Sequence, residues 1–171
     1  MIVDLTSIEG SAHRFDVTVS PAELDVGDTS LRLTGEVHAT GEVIKHTAQI
    51  DVKGSIRGDA EIDCTRCLGA VKHDLAIDFD VSYVTPEDFA NDKEREVLSD
   101  DLDTDVLSGD RIDLKEVIRE QIVLSLPEQV FCRRDCKGLC PKCGADRNLI
   151  NCNCDDKEVD PRWAALKNLK G

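Results

Sequence analysis

The cysteines of residues 132–154 constrain the fold more than any other feature of the chain. This stretch holds six of the eight cysteines, and the other two form a separate Cys64-Thr-Arg-Cys67 motif far upstream. In Cys140-Pro-Lys-Cys143 the chain turns tightly between two thiols, so both sulfurs can reach one tetrahedral ion at about 2.3 Å. Cys152-Asn-Cys154 follows after a loop of ordinary length for a structural zinc site. Two cysteine pairs that close one loop predict zinc more strongly than a single pair does.

A disulfide framework is the alternative use of these cysteines, and it needs an oxidising compartment. The chain begins MIVDLTSIEG, without the basic and apolar regions of a secretory signal. No apolar run approaches the roughly 20 residues that span a bilayer. We therefore expect a cytoplasmic protein without a membrane partner, in which reduced thiols favour metal over disulfides.

The charge of the chain is unevenly distributed. The net charge is −14; residues 132–171 carry +3, whereas residues 1–131 carry 29 acidic and 12 basic residues, or −17. Such an acidic body repels phosphate and suits basic partners. Each zinc ion held by four thiolates would also add about −2. Contact with RNA would thus depend on local placement of a few basic side chains, namely Arg133, Arg134, Lys137, Lys142 and Arg147.

The hydrophobic pattern predicts an α+β fold with a β-rich domain at residues 1–84. Apolar residues alternate with polar ones over residues 48–64 and again over residues 71–83, which places each set on one face of a sheet. These two runs predict a hairpin with the Cys64-Thr-Arg-Cys67 motif at its tip. Gly54 and Gly58 interrupt the first run and indicate a bulge, a tight turn or a close backbone approach. We expect a curved antiparallel sheet or a partial barrel.

Three further segments follow the β-rich domain. Residues 85–112 form an acidic connector, with nine acidic and two basic residues between positions 87 and 105; it is either a solvated loop or a docking surface for a basic partner. Residues 113–131 predict a helix packed on the sheet, with Asp113 as N-cap, Glu116 in the capping-box position and Pro127 as the stop.

Residues 132–171 form the zinc-binding C-terminal segment and end in a short helix. Asp160-Pro161 is typical of a helix start, with an N-cap residue and a proline at the first helical position. Trp163 on this helix is a core anchor or, alternatively, a ring that stacks on a base.

Eight thiols suffice for two sites of four. Cys140, Cys143, Cys152 and Cys154 are close enough in sequence to close one site by themselves. Cys64 and Cys67 would then join Cys132 and Cys136 in a second site that clamps the C-terminal segment onto the sheet. One zinc ion, with Cys64 and Cys67 as free thiols or a redox pair, is the competing arrangement. Swapped pairings, such as Cys136 with the 140–143 pair, also stay open.

The sequence carries no motif of catalysis. It has no Gly-rich phosphate loop, no His-Glu-x-x-His and no nucleophile elbow. The four histidines are scattered over the β-rich part and are interpreted as strand surface residues. A zinc ion with four thiolate ligands has no open position and is structural. We therefore expect a non-enzyme, without catalytic residues or a small-molecule substrate.

Several motifs resemble the YceD-like family of large ribosomal RNA subunit accumulation proteins. They are the Cys-x-Arg-Cys-Leu sequence at residues 64–68, the helix end Leu-Ser-Leu-Pro at 124–127, the cysteine-rich run at 136–144 and the closing Asp-Pro-Arg-Trp run at 160–169. The resemblance covers about residue 30 to the end. Some family members replace or lack the C-terminal cysteines, whereas this chain keeps the full set.

The resemblance implies a part in the synthesis, processing or accumulation of large-subunit (23S) ribosomal RNA. It carries over no catalytic residue. One hypothesis is an RNA-binding factor whose basic C-terminal residues contact the ribosomal RNA. The second is an acidic escort for a basic large-subunit ribosomal protein. A thiol redox sensor is a third interpretation and needs an exposed cysteine of low pKa.

Overall fold

The computed structural model describes residues 1–8, 12–27, 30–47, 49–86, 104–107 and 109–154. Within these ranges, strands predominate and the chain contains one helix of several turns, α1. This composition confirms the predicted α+β class. The strands in chain order are β1 (Ile2–Asp4), β2 (His13–Val19), β3 (Leu31–Leu33), β4 (Val37–Lys45), β5 (Gln49–Asp63), β6 (Ala70–Val84), β7 (Thr104–Val106) and β8 (Arg111–Asp113), and α1 is Leu114–Leu124.

A long antiparallel hairpin of β5 and β6 is the centre of the sheet. Each strand has 15 residues, and the two pair along their whole length. Val52 and Ile56 of β5 are fully buried, and Leu75 of β6 is nearly so. These residues belong to the predicted alternating runs, so the predicted hairpin is confirmed. Its connecting loop, residues 64–69, carries the first cysteine pair at the tip.

The larger sheet has the strand order β2-β4-β5-β6-β7. β4 pairs with residues 50–57 of β5 and β3 pairs with residues 60–62, so these two strands follow one another along the same edge of β5. β7 runs parallel to β6, which the expectation of an antiparallel sheet did not include. Among the described strands, β2 and β7 are the two edges of this sheet and do not pair with each other. The sheet is therefore open. The expected curvature stays a prediction.

Two glycines allow β4 and β5 to approach beneath aromatic rings. Gly41 and Gly54 are cross-strand partners, and Phe15 and Phe79 pair with them from the outer strands. A Cβ atom on Gly41 would lie 2.2 Å from the Lys53 carbonyl oxygen and 2.6 Å from the Phe15 ring. Neither glycine has a positive φ. The sequence offered three explanations for Gly54, namely a bulge, a tight turn or a close backbone approach. The structure supports the close approach.

Helix α1 begins directly after β8 and packs against β6. The Asp113 carboxylate accepts the Lys115 N–H at 3.0 Å, which confirms the predicted N-cap. The helix ends at Leu124, so the chain leaves the helical conformation before Pro127, as steric conflict with the proline ring requires. Its buried face consists of Leu114, Val117, Ile118 and Ile122.

The segment boundaries differ from the expected ones in two places. The expected connector at residues 85–112 includes β7 and most of β8; Ile112 is 2% exposed and β8 pairs with β1, so this end belongs to the folded core. Residues 125–131, which were grouped with the helix, are not helical. Residues 87–103 of the connector and the expected terminal helix with Trp163 lie outside the described residues. Among the described helices, none is long and apolar enough to cross a membrane.

We predict that Gly41→Ala destabilises the sheet by about 1–3 kcal/mol, because the new methyl group overlaps backbone atoms that cannot move independently. Gly35→Ala is the matched control, since the nearest atom to its Cβ is an Asp59 oxygen at 4.0 Å. The control should change the free energy of unfolding by no more than about 0.5 kcal/mol. Chemical denaturation measures both, and equal losses would contradict the close-approach explanation.

Candidate metal centres

The hairpin tip folds as a knuckle, the first knuckle, comprising residues 64–69. The Leu68 N–H donates to the Cys64 carbonyl at 2.9 Å, and the Cys64 N–H donates to the Gly69 carbonyl at 2.8 Å. Leu68 adopts a φ of 59°, a left-handed conformation that side chains other than glycine rarely take. The turn keeps both ends of the Cys-x-x-Cys motif on the same side, which is the geometry expected from the sequence.

Residues 140–145 form a second knuckle with the same hydrogen bonds. The Gly144 N–H donates to the Cys140 carbonyl at 2.9 Å, and the Cys140 N–H donates to the Ala145 carbonyl at 2.8 Å. Gly144 has a φ of 72° and therefore occupies the place that Leu68 takes in the first knuckle. Two distant parts of the chain thus build the same turn around a cysteine pair.

The first cluster joins the first knuckle to the segment after α1. Its sulfurs, from Cys64, Cys67, Cys132 and Cys136, all lie within 4.8 Å of one another. The Sγ atoms of Cys64 and Cys136 are 3.9 Å apart, and those of Cys67 and Cys132 are 3.7 Å apart. Four sulfurs at about 2.3 Å from a tetrahedral ion would be separated by roughly 3.8 Å. The first cluster therefore has the spacing of a four-thiolate metal site.

The second cluster is local. It consists of four sulfurs that also lie within 4.8 Å of one another, those of Cys140, Cys143, Cys152 and Cys154. The bridge between Leu139 and Asp146 closes the base of the second knuckle. Both groups of four are the ones that the sequence analysis favoured, and the described residues do not show the swapped pairing. Each group could hold a metal ion.

The first cysteine of each knuckle has an unusually acidic thiol. Burial raises the pKa of Cys64, but backbone N–H groups, among them that of Cys132 at 3.4 Å, outweigh it and lower the pKa to about 6. Backbone N–H groups of Cys143 and Lys142 likewise lower the pKa of Cys140 to about 6. The knuckle backbone thus stabilises a thiolate, which is the form that binds metal.

One other cysteine in each cluster, Cys132 in the first and Cys154 in the second, shows the opposite effect. A hydrogen bond with the Cys136 sulfur, aided by burial, raises the pKa of Cys132 to about 12. A hydrogen bond with the Cys143 sulfur, aided by one with Cys140, raises the pKa of Cys154 to about 12. Sulfurs this close cannot all carry negative charge unless a cation lies between them, because like charges repel strongly at such distances.

Backbone contacts hold Val130 and the start of the C-terminal segment against the hairpin tip. The Thr65 N–H donates to the Val130 carbonyl at 2.8 Å, and the Val130 N–H donates to the Thr65 hydroxyl at 2.8 Å. Arg66 donates to the Cys136 carbonyl at 2.9 Å and stacks on the Phe131 ring at 4.3 Å from its centroid. The first knuckle therefore binds this segment through peptide groups as well as through sulfur.

Asn148 connects the two clusters, and sequence reasoning missed it. It lies in the loop of the second cluster, yet its side-chain amide donates to the Cys136 sulfur of the first cluster at 3.4 Å. Its carbonyl oxygen accepts the Arg133 guanidinium at 2.7 Å and the Lys137 N–H at 2.8 Å. No sequence motif marks Asn148 as a functional residue, because these three hydrogen-bond partners belong to the segment of the first cluster.

The five candidate RNA-binding residues have different surroundings. Arg133 is half exposed and also lies 3.7 Å from the Asp135 carboxylate, so it is committed to contacts within the segment. Arg134, Lys137 and Lys142 are exposed, whereas Arg147 is half-buried and donates its N–H to the Gly138 carbonyl. The structure places them near the cysteine clusters and leaves their role in binding RNA a prediction.

We predict that Gly138→Ala loosens the docking of the C-terminal segment far more than Gly144→Ala does. Both glycines have left-handed φ values, +70° and +72°, so both substitutions introduce similar backbone strain. Only the Gly138 Cβ would meet another backbone group, the Arg66 carbonyl at 2.8 Å, whereas the Gly144 Cβ meets nothing within 4 Å. The overlap should cost about 1–3 kcal/mol beyond the shared strain.

Denaturation of the two metal-loaded variants side by side measures that difference. The same loss of unfolding free energy in both variants would show that the Arg66 carbonyl can move away freely. In that case, the contact between the first knuckle and the C-terminal segment would not be rigid.

Comparison of the sequence with known protein families finds a match to one of them. Residues 52–170 match the family described as large ribosomal RNA subunit accumulation protein YceD. The chain is 29% identical to Bacillus subtilis YlbN over 98% of its length and 94% of that protein. It is 32% identical to Mycobacterium tuberculosis Rv2926c over 70% of its length, but spans only 55% of that relative.

A plant relative carries a functional name. The chain is 26% identical to the Arabidopsis thaliana large ribosomal RNA subunit accumulation protein YCED homolog 1, chloroplastic, over 78% of its own length and 48% of that protein. It therefore spans about half the length of this relative and of the mycobacterial one. No solved structure matches the chain.

Proposed function

The chain belongs to the YceD family of large ribosomal RNA subunit accumulation proteins, and from this premise we propose that it is a non-catalytic, zinc-stabilised factor in the production of large-subunit (23S) ribosomal RNA. The observation that carries the proposal is the pair of four-thiol clusters, of which the first brings the basic C-terminal segment to the hairpin tip. The proposed compartment is the cytoplasm, where thiols stay reduced.

Zinc is the metal that this donor set favours. Four thiolates in tetrahedral spacing are typical of structural zinc, and iron is the other first-row metal that takes such a site. Four protein ligands leave no position for a substrate or a reactive water. The ions would therefore hold the fold together, and the exposed side chains around them would contact the partner.

We predict two zinc ions per chain, and one ion each in Cys64→Ser and Cys140→Ser. Each substitution removes a buried ligand from one cluster and leaves the other intact. Elemental analysis of purified protein measures the content and identifies the metal, and circular dichroism checks that the sheet persists. Unchanged zinc content in Cys64→Ser would contradict a metal site in the first cluster and return Cys64 and Cys67 to the redox interpretation.

Two of the five candidate RNA-binding residues are suitable for a mutational test. Arg134 and Lys137 are exposed, and their side chains make no ion pair among the described residues. Arg133 is less suitable for a test because its substitution would also remove a hydrogen bond to Asn148. Since each four-thiolate zinc carries about −2, these cations must act by their position next to the clusters rather than by net charge.

We predict that Arg134→Ala/Lys137→Ala weakens binding to a large-subunit ribosomal RNA fragment and lowers the salt slope of binding by about 1 for each charge removed. Arg14→Ala/Lys72→Ala removes two exposed cations from the sheet and serves as the control. Binding measured over a series of salt concentrations distinguishes them. Equal slopes for the two variants would contradict the assignment of the RNA contact to the C-terminal segment.

The acidic charge of residues 1–131 supports a second candidate, an escort for a basic large-subunit ribosomal protein. Capture from lysate with and without nuclease separates the two. Ribosomal RNA that is retained, with basic proteins lost after nuclease, supports direct RNA contact. A single basic protein that stays bound after nuclease supports the escort.

A further inference from the structure

A cavity of about 290 Å³ lies where β6, β7, β8 and α1 meet, outside the two cysteine clusters. Its polar walls come from one tyrosine and several carboxylates, and Val106, Leu107 and Val117 supply apolar surface. None of these residues has a part in the proposed zinc sites or the candidate RNA surface. The polar residues are Tyr83, Asp105, Arg111, Asp113, Glu116 and Glu120.

Tyr83 is the one tyrosine of the chain, and it lines this cavity, where the charges of Glu120, Asp105 and Glu116 act on its hydroxyl. The residue is 7% exposed, so its ring is part of the core. Among the described residues, its hydroxyl makes no hydrogen bond. Burial, with the charges of Glu120, Asp105 and Glu116, raises the pKa of Tyr83 to about 12.

The carboxylates around this hydroxyl have little cationic countercharge, although the Asp105 carboxylate accepts the Val106 N–H at 2.7 Å. Glu116 and Glu120 are four residues apart on α1 and therefore lie on one face, where like charges repel. Glu120 is half-buried without a hydrogen bond or ion pair among the described residues, and burial, followed by the charge of Glu116, raises its pKa. The cation nearest Glu116 is Arg119, at 3.9 Å.

The other charged residues of the cavity are already engaged. The Arg111 guanidinium lies 3.8 Å from the Asp4 carboxylate, and the Asp113 carboxylate accepts the Lys115 N–H at the start of α1. Three acidic side chains thus act on the Tyr83 hydroxyl, and the one basic residue that lines the cavity, Arg111, lies near Asp4. A cation beside the half-buried Glu120 would offset the repulsion that Glu116 exerts on it.

We infer that this cavity binds a long cationic side chain, an arginine or a lysine, from a basic protein segment. Glu120, Glu116 and Asp105 would accept charge-assisted hydrogen bonds from the cationic head, and the Tyr83 hydroxyl would accept another. The apolar wall at Val106 suits the methylene stem, which buries readily while the head stays polar. A phosphate backbone would be repelled.

This inference concerns a different surface from the C-terminal segment and holds whether or not that segment binds RNA. It gives the escort candidate a definite contact, since a basic ribosomal protein offers many such side chains. Failure of zinc or RNA binding would leave it unaffected.

The test uses an unstructured peptide of four arginines spaced by glycine and serine, and a matched peptide with the neutral isostere citrulline. Because the chain has one tyrosine, tyrosine labelled with carbon-13 at Cζ alone gives one NMR signal, that of Tyr83. The arginine peptide should shift this signal, and the citrulline peptide should not. Glu120→Gln should weaken binding about tenfold, as expected when a charge-assisted hydrogen bond is lost.

Glu128→Gln is the matched control, because Glu128 is exposed, follows α1 and does not line the cavity. It removes the same charge and should change affinity less than twofold. Glu116→Gln provides a second cavity variant in case Glu120→Gln alters the fold. Equal losses in cavity and control variants, a stationary Tyr83 signal, or a shift by a single-stranded oligonucleotide instead of the peptide would each overturn the inference.

Discussion

The convergence of four sulfurs from positions 64, 67, 132 and 136 is the constraint on which the chain after α1 depends. In residues 125–154 the buried positions are Cys136, Gly138 and Cys140, so this part has no hydrophobic core of its own. A segment of this kind cannot offset the conformational entropy of its ordering by apolar burial. Peptide hydrogen bonds to the hairpin tip and the proposed ions must supply the remaining stability.

Two polar surfaces of the molecule carry opposite charge. Exposed cations lie beside the cysteine clusters, whereas the carboxylates of α1 and β7 surround Tyr83 near the other end of the long hairpin. β6 joins these surfaces, because its first residue, Ala70, follows the first knuckle and Tyr83 lies next to its last residue. The proposed RNA contact and the proposed basic-protein contact would therefore lie at opposite ends of β6.

Local patterns predicted the parts of the structure that depend on local physics. Alternation located β5 and β6, and Asp113 with Pro127 gave the start and the end of α1 to within a few residues. The grouping of cysteines followed from spacing, because four of them are close enough to form one site. The parallel strand β7 was missed because its pairing with β6 depends on a distant connection rather than on its three residues.

The site details that sequence could not give are those made between distant residues. Asn148 acquires its role only because the second cluster lies against Cys136. Leu68 occupies a left-handed position where the second knuckle has glycine, so residue preference alone would assign it to an ordinary turn. The Tyr83 cavity likewise arises from four separate elements, and composition shows only that acidic residues are frequent.

The pairing register of β5 and β6 determines where the first knuckle lies relative to the cysteines that follow α1. In an antiparallel pair, a slip of one residue turns every side chain to the opposite face. A slipped β5–β6 pair would misplace the knuckle relative to Cys132 and Cys136, while the second cluster, made from residues 140–154 alone, would still form. With both clusters loaded as proposed, metal content would then distinguish the two registers, with two ions for a chain in register and one for a chain out of register.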